Sequence, residues 1–171
     1  MNFVIDLRAK GIEVNSFHSS NTLYFENIHS RSLDHRVQKV LQTTDAFSFE
    51  QLKSINAAIF DLGPLLADDI PLESIKALAE KGKVSIDVQG YFHEVENQDV
   101  YAVDWRDKME GLTYVDILKA SEDEMEVLTG LTDIRKGAKI LNDWGVPEVV
   151  ITRGNKGSVI YEDHIFHYFL A

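Results

Sequence analysis

The chain has 171 residues, with 28 acidic and 17 basic side chains, a formal net charge of -11 and no cysteine. That length suits one compact domain with a sizeable core, and 44% hydrophobic with 26% charged residues is an ordinary globular mix rather than a disordered one. The acidic balance argues against nucleic acid or an anionic membrane as partner, and the lack of cysteine excludes a disulfide framework and a thiolate metal site.

Met1 to Val14 carries Asp6, Arg8, Lys10 and Glu13 among its apolar residues. It lacks the apolar h-region of a signal peptide, and no apolar run reaches bilayer-spanning length. A cytoplasmic protein is expected. From Ile12 to about Thr43, Asn/Ser pairs and an Arg-Ser-Leu-Asp-His link separate stretches of alternating apolar and polar residues. Ile12–Phe17, Thr22–Ile28 and Arg36–Leu41 are the predicted strands of a small antiparallel element. The rhythm changes near Phe47, which divides the chain into residues 1–46 and 47–171.

Ala57–Leu62 is a predicted buried strand, stopped by Gly63-Pro64. Pro71–Lys81 is a predicted helix, with Pro near its first turn and Gly82 at its end. Lys83–Val88 is the next strand, ended by Gln89-Gly90, and Tyr91 to Gly111 reads as a long loop with a short helix around Trp105. Tyr114–Leu118 is a third strand, running into a short helix that ends near Gly130. Ile134–Trp144 is another helix, Glu148–Thr152 a fourth strand, and Ser158–Tyr161 with Ile165–Phe169 a hairpin. Strand–helix–strand repetition implies an α/β fold, a mainly parallel sheet with helices on both faces.

Ligands of open α/β sheets bind outside the carboxyl ends of the strands. Ser121-Glu122-Asp123-Glu124 stands at one such end. S-x-x-E is a capping box, with Ser121 taking a helical N–H and Glu124 reaching back to the Ser121 amide; equally, Glu124 at a site edge would orient magnesium-bound water beside a triphosphate. The two roles are compatible. Thr152-Arg153-Gly154-Asn155-Lys156-Gly157 is a turn whose glycines either admit a phosphate or ribose to backbone amides or simply close a hairpin. Asp87 would accept a substrate hydrogen bond or cap the loop after its strand. His164 and His167, three apart on a strand, would point to opposite faces and make poor metal ligands. His18, His29 and His35 lack ligand spacing, and Phe17, Tyr24 and Phe25 read as packing residues. No P-loop, dinucleotide fingerprint, Ser-His-Asp order or nucleophile elbow occurs.

Val115–Glu124 through Leu128-Thr129-Gly130, Val149–Ser158, and Ile86-Asp87-Val88-Gln89-Gly90-Tyr91 together resemble three signatures of the ribokinase-like carbohydrate kinases, the phosphofructokinase-B family. These are a strand with N-x-x-E and a helix ending Leu-x-Gly, a V-x-T-x-G-x-x-G nucleotide segment, and a D-x-Q-G turn. The resemblance implies a three-layer α/β/α ribokinase-like fold with a partial β-strand lid. It also implies transfer of the terminal phosphate of ATP, with Mg2+, to a hydroxymethyl group of a sugar or nucleoside. By it Ser121, Thr152, Gly154 and Gly157 would bind the nucleotide, Glu124 would hold magnesium through water, and Asp87, Gln89 and Gly90 would lie near the substrate and phosphate.

The sequence departs from that pattern at several points. Ser121 stands where the family has Asn, and Phe92-His93 where relatives place an Arg. No Gly-Ala-Gly-Asp occurs, although that motif supplies the family's catalytic base and anion hole. The expectation is a central part of a kinase, without a catalytic base of its own and inactive by itself, forming a homodimer or larger assembly through an uncovered sheet edge. The alternative is a non-catalytic binding or assembly module on the same scaffold.

Overall fold

The computed structural model describes residues 3–29 and 36–171. In chain order its elements are α1 Phe3–Ala9, β1 Tyr24–His29, β2 Arg36–Gln42, α2 Phe49–Leu52, β3 Ile59–Leu62, α3 Leu72–Ala79, β4 Lys83–Asp87, β5 His93–Glu96 and β6 Asp99–Ala102. They continue with α4 Lys108–Gly111, β7 Ile117–Ser121, α5 Glu122–Thr129, α6 Ile134–Asp143, β8 Glu148–Thr152, β9 Ser158–Glu162 and β10 Ile165–Phe169.

Six strands form one sheet in the order β10-β9-β8-β7-β4-β3. β3, β4, β7 and β8 are parallel, and β9 and β10 add as an antiparallel hairpin. Successive parallel strands step in one direction across the sheet, so right-handed crossovers put the intervening helices on a common face. The core agrees: Phe60, Val84, Ile86, Leu118, Ala120, Val149 and Ile151 pack with Ile75 and Leu78 of α3, Met125 and Leu128 of α5, and Ala138 and Leu141 of α6. Each large apolar side chain buried there contributes about 1.5–3 kcal/mol. The alternate residues, Asp61, Ser85, Asp87, Lys119, Ser121 and Thr152, point the other way by the strand period of two and are half-buried or exposed.

Local chemistry sets the boundaries. α5 starts at the Ser121 cap and ends at Gly130, which takes the left-handed conformation. The Asp133 side chain accepts the Lys136 N–H at 3.0 Å and starts α6. β7 begins later than its apolar run because Val115 is spent on the core and the Asp116 carboxylate takes the Val84 amide at 2.9 Å.

The second sheet has the order β1-β2-β6-β5. Its β5–β6 hairpin falls where the sequence reads as a loop, and it turns at Asn97 and Gln98, both with positive φ. The hairpin meets β2 through Lys39 opposite Asp99 and a Val40 N–H to Gln98 carbonyl bond of 2.9 Å. This lid therefore draws strands from both sides of residue 46. The strand expected at Ile12–Phe17 is absent: residues 12–17 are irregular, and α1 precedes them. The predicted Arg-Ser-Leu-Asp-His link, including His35, lies outside the described residues. Among the described residues no helix is long and apolar enough to cross a membrane.

Candidate active site

The register of the parallel strands brings four side chains to one edge and one face. Asp87 on β4 lies opposite Lys119 on β7, and Ser121 on β7 lies opposite Thr152 on β8. All four belong to the face turned away from the helices. The Asp87 carboxylate pairs with the Lys119 ammonium and accepts the Gln89 N–H at 3.3 Å, so it caps the turn that follows β4. Lys119, which sequence reasoning missed, places a cation at the edge. Its signal was a lone basic residue on the strand before the capping box, legible only once the strand's facing was known.

Ser121 and Glu124 form the complete capping box. The Glu124 N–H donates to Ser121 Oγ at 3.2 Å, and the Ser121 N–H donates to Glu124 Oε2 at 2.7 Å. One carboxylate oxygen of Glu124 is thereby engaged, and the other remains for a ligand. Among the described residues no group of three or more acids or histidines could hold a metal. A fully protein-ligated cation does not fit. A magnesium ion that keeps its waters and leans on one carboxylate and the donor phosphates does fit. Glu122, next to it, is taken by Arg153 at 3.4 Å.

Beyond Thr152 the chain closes a hairpin whose Arg153 N–H donates to the Gly157 carbonyl at 2.8 Å, while the Gly157 N–H donates to Gly154 at 3.2 Å. The two glycines differ. A Cβ on Gly157 would meet the Phe169 carbonyl oxygen at 1.9 Å, so Gly157 is needed for the approach of β10, whereas Gly154, with φ of 55°, faces open space. A side chain is therefore excluded at Gly157, while the Cβ direction at Gly154 is open.

The substrate-side residues separate. Gly90 is wedged against Pro64, whose carbonyl oxygen would lie 2.1 Å from an added Cβ. Gln89 instead lines a cleft of ≈ 250 Å³ between the lid and the strand ends, together with Pro64, Leu65, His93, Phe25, Asn27 and Gln38. Phe25, read as a packing residue, is thus a cleft wall. Phe25 and Asn27 alternate on one face of β1, and Asn27 lies opposite Gln38 on β2. His93 Nδ1 lies 3.3 Å from the Leu65 carbonyl. A larger cleft of ≈ 420 Å³ sits beside Tyr91 and Trp105, but its lining of Asp68, Glu73, Glu94, Asp104 and Asp107 outweighs Arg106, and the net negative charge disfavours anionic donors. The strand ends, rather than cavity size, mark the site.

His164 occupies the turn before β10, with Nδ1 3.5 Å from the Tyr161 hydroxyl, and His167 faces Glu162 at 3.7 Å. Neither reaches the strand-end cluster through these contacts.

Comparison with known proteins agrees with this architecture. The family model described as pfkB family carbohydrate kinase matches residues 8–170. A cytidine kinase of Thermococcus kodakarensis is 32% identical over 112 residues, 63% of this chain and 36% of that protein. A pyrophosphate-dependent kinase in the ribokinase family, solved as a sulfate complex, superposes with a TM-score of 0.90 at 27% identity, over 98% of this chain and 60% of that one. Another solved structure (TM-score 0.85, 26% identity, 97% of this chain and 56% of that one) concerns conversion of a pyrophosphate-dependent myo-inositol-1 kinase into a myo-inositol-3 kinase by two leucine substitutions, eleven positions apart. The fructokinase of Vibrio cholerae O395, solved with fructose, ADP and calcium, shares the fold at TM-score 0.61 and 20% identity, over 78% of this chain and 46% of that one. The chain thus spans between about a third and three fifths of the relatives it matches. With a ribokinase-like sheet, its strand-end cluster and a family match across nearly every residue, the chain belongs to the pfkB family of carbohydrate kinases.

Proposed function

We propose that this chain carries the donor-side edge and part of the acceptor cleft of a kinase that moves a terminal phosphate from ATP, with Mg2+, to a hydroxymethyl group of a sugar or nucleoside. The observation that carries the reading is the register of Ser121 with Thr152 and of Asp87 with Lys119, on one face of one edge. Phosphoryl transfer is mainly positioning and charge stabilisation, and a rigid parallel sheet supplies fixed positions.

In this reading Thr152 and Gly154 lie along the donor, and Gly157 shapes the turn that presents them. Ser121 fixes the start of α5, and Glu124 would hold magnesium through water, where the ion would supply charge neutralisation to the donor phosphates. Lys119 faces the transferred phosphate. Asp87 restrains Lys119, Gly90 lets the β4 turn close on Pro64, and Gln89 reaches the acceptor. Residues 1–46 supply the first half of the lid and residues 47–171 the core. The protein acts in the cytoplasm, as a homodimer or larger assembly formed through the β10 edge, where Ile165, Tyr168 and Phe169 are exposed. Light scattering that finds a monomer at working concentration removes the assembly.

A second reading replaces ATP by pyrophosphate. It is favoured by three solved structures that superpose over nearly the whole chain, all pyrophosphate-dependent kinases. Calorimetry with Mg-ATP and with Mg-pyrophosphate separates the two donors. Binding of either one, weakened in Glu124→Ala, supports the kinase reading. Binding of neither overturns it and leaves a non-catalytic module on this scaffold.

A further inference from the structure

We infer that the acidic groove between the lid and the starts of α3 and α4 binds a basic, extended peptide segment of a partner protein. Arg or Lys side chains of that segment meet the carboxylates of the groove, and one of its backbone carbonyls meets the Trp105 indole N–H. None of Asp87, Lys119, Ser121 or Thr152 lines this groove, so it is a second site, independent of the phosphate donor.

Two clefts make up the groove. One, of ≈ 420 Å³, runs past Pro71 and Glu73 at the start of α3 and Asp107 at the start of α4. The other, of ≈ 280 Å³, continues past Thr44 and Asp69. They share Ala46, Ala67, Asp68 and Glu94, which joins them into one trough. Asp104 is paired with Lys108 at 2.6 Å, but Asp68, Glu73, Glu94 and Asp107 are exposed and have no cationic partner among the described residues. Arg106 is the single Lys or Arg on the walls. Carboxylates of one sign along a cleft focus the field and attract cations. Among the described residues no group of three or more acids or histidines could hold a metal, so the spread of charge suits organic cations.

A second observation points to a ligand. Trp105 is only 5% exposed. Its ring stacks on Tyr91 at 4.3 Å and packs against Gly111, where an added Cβ would meet ring carbon Cζ2 at 2.5 Å. The Tyr91 hydroxyl is satisfied by the Ile70 carbonyl, but the Trp105 N–H has no acceptor among the described residues. No fully enclosed side-chain nitrogen or oxygen there lacks a partner, so this N–H opens on the cleft that the ring lines. An indole nitrogen only donates, and it calls for an acceptor beside the cations. A peptide offers a carbonyl at every residue, whereas a simple polyamine offers none. Ile70, Pro71 and Val103 give an apolar wall along which Lys and Arg stems lie while their charged heads reach the rim.

The test uses the 171-residue chain and the peptide acetyl-Arg-Ala-Arg-amide, with acetyl-Glu-Ala-Glu-amide and spermidine as controls, read on the indole N–H signals of Trp105 and Trp144 in 15N spectra. The basic peptide is expected to shift the Trp105 N–H and leave that of Trp144 in place, and the acidic peptide to shift neither. The Glu94→Gln/Asp107→Asn double variant changes two exposed side chains and is expected to weaken binding at least about fivefold, as the loss of hydrogen bonds between charged groups requires. Glu73→Gln, on a different element, is expected to weaken it in the same direction and covers the case in which the double variant misfolds. Spermidine is expected to bind more weakly and without the Trp105 shift. A Trp105 signal unmoved by the basic peptide, or unaltered affinity in the folded variants, overturns the inference. Spermidine binding as tightly as the peptide overturns the peptide as occupant in favour of a free amine.

Discussion

Asp87 and Lys119 meet as an ion pair across the β4–β7 boundary, at the carboxyl ends of two adjacent parallel strands. Both side chains are partly exposed, so the pair is worth no more than about 1 kcal/mol to folding. In the proposed reading the pair holds a cation at the edge. Lys119→Met is expected to leave thermal stability almost unchanged and to weaken donor binding by about tenfold or more, a loss in the range of a hydrogen bond to a charged group. Calorimetry with the preferred donor checks it, and undiminished affinity takes Lys119 out of the site.

Glu124 has two proposed jobs that two substitutions separate. Glu124→Ala removes the return bond to the Ser121 amide and is expected to cost about 1 kcal/mol. Glu124→Gln keeps that bond, since Gln serves equally at the third helical position of a capping box, but it removes the charge. Thermal unfolding should therefore distinguish the variants, while magnesium-dependent donor binding should fall in both. Normal magnesium dependence in Glu124→Gln would reduce Glu124 to a cap.

The glycines at two turns predict unequal costs. Gly90→Ala places a methyl group on the Pro64 backbone, which cannot retreat without moving the β3 and β4 turns, and a penalty of roughly 1–3 kcal/mol is expected from overpacking. Gly154→Ala meets no neighbour and carries only the cost of its positive φ, about 1 kcal/mol. Denaturant unfolding of the two variants should rank them in that order, and acceptor binding should fail first in Gly90→Ala.

Tyr91 predicts an alkaline limit to stability. Burial pushes its phenol well above the ordinary value, with the Asp69 charge adding to the shift. The hydroxyl donates to the Ile70 carbonyl at 3.0 Å and the ring stacks on Trp105 at 4.3 Å. A pKa raised in the folded state gives stability that is complete below the unfolded value of about 10 and is lost as pH rises beyond it. Circular dichroism between pH 8 and 12 (roughly the span around that value) should show unfolding that Tyr91→Phe delays. The same variant should lose about 1 kcal/mol at neutral pH, because the Ile70 carbonyl loses its donor.

These 171 residues contain no Gly-Ala-Gly-Asp, the motif expected from the family resemblance to supply the base for the acceptor hydroxyl. The chain assayed alone with ATP or pyrophosphate and a panel of sugars, nucleosides and inositols is expected to give no turnover. Removing a single oxyanion-type donor already costs roughly 3 kcal/mol. Robust product formation by these residues would show that another group activates the acceptor.

Local chemistry made much of this molecule readable. Apolar runs ended by Gly63-Pro64, Gln89-Gly90 and Gly154 marked three of the four parallel strands, because a buried strand needs continuous apolar residues and its exit needs backbone freedom. The Ser121–Glu124 box was legible because a cap is made by neighbours in sequence. The β5–β6 hairpin was not: His93–Glu96 and Asp99–Ala102 are polar lid strands, half-buried or exposed, and their turn uses Asn97 and Gln98 at positive φ without a glycine. The N-terminal segment misled for a related reason, since the alternation in residues 12–17 has no strand to pair with among the described residues.

What the sequence by itself determined is the parallel strands and main helices of the core, the caps that start and stop them, and the family signatures that lie within single turns. Only the tertiary structure decided that Asp87 pairs with Lys119, that Ser121 sits beside Thr152, that Gly157 serves the β10 hairpin while Gly154 stays open, and that Asn27, Gln38 and Gln89 share one cleft. Each of those relations joins residues on different strands or turns, and it depends on register and facing. A one-residue slip reverses facing, and nothing within any single segment records it.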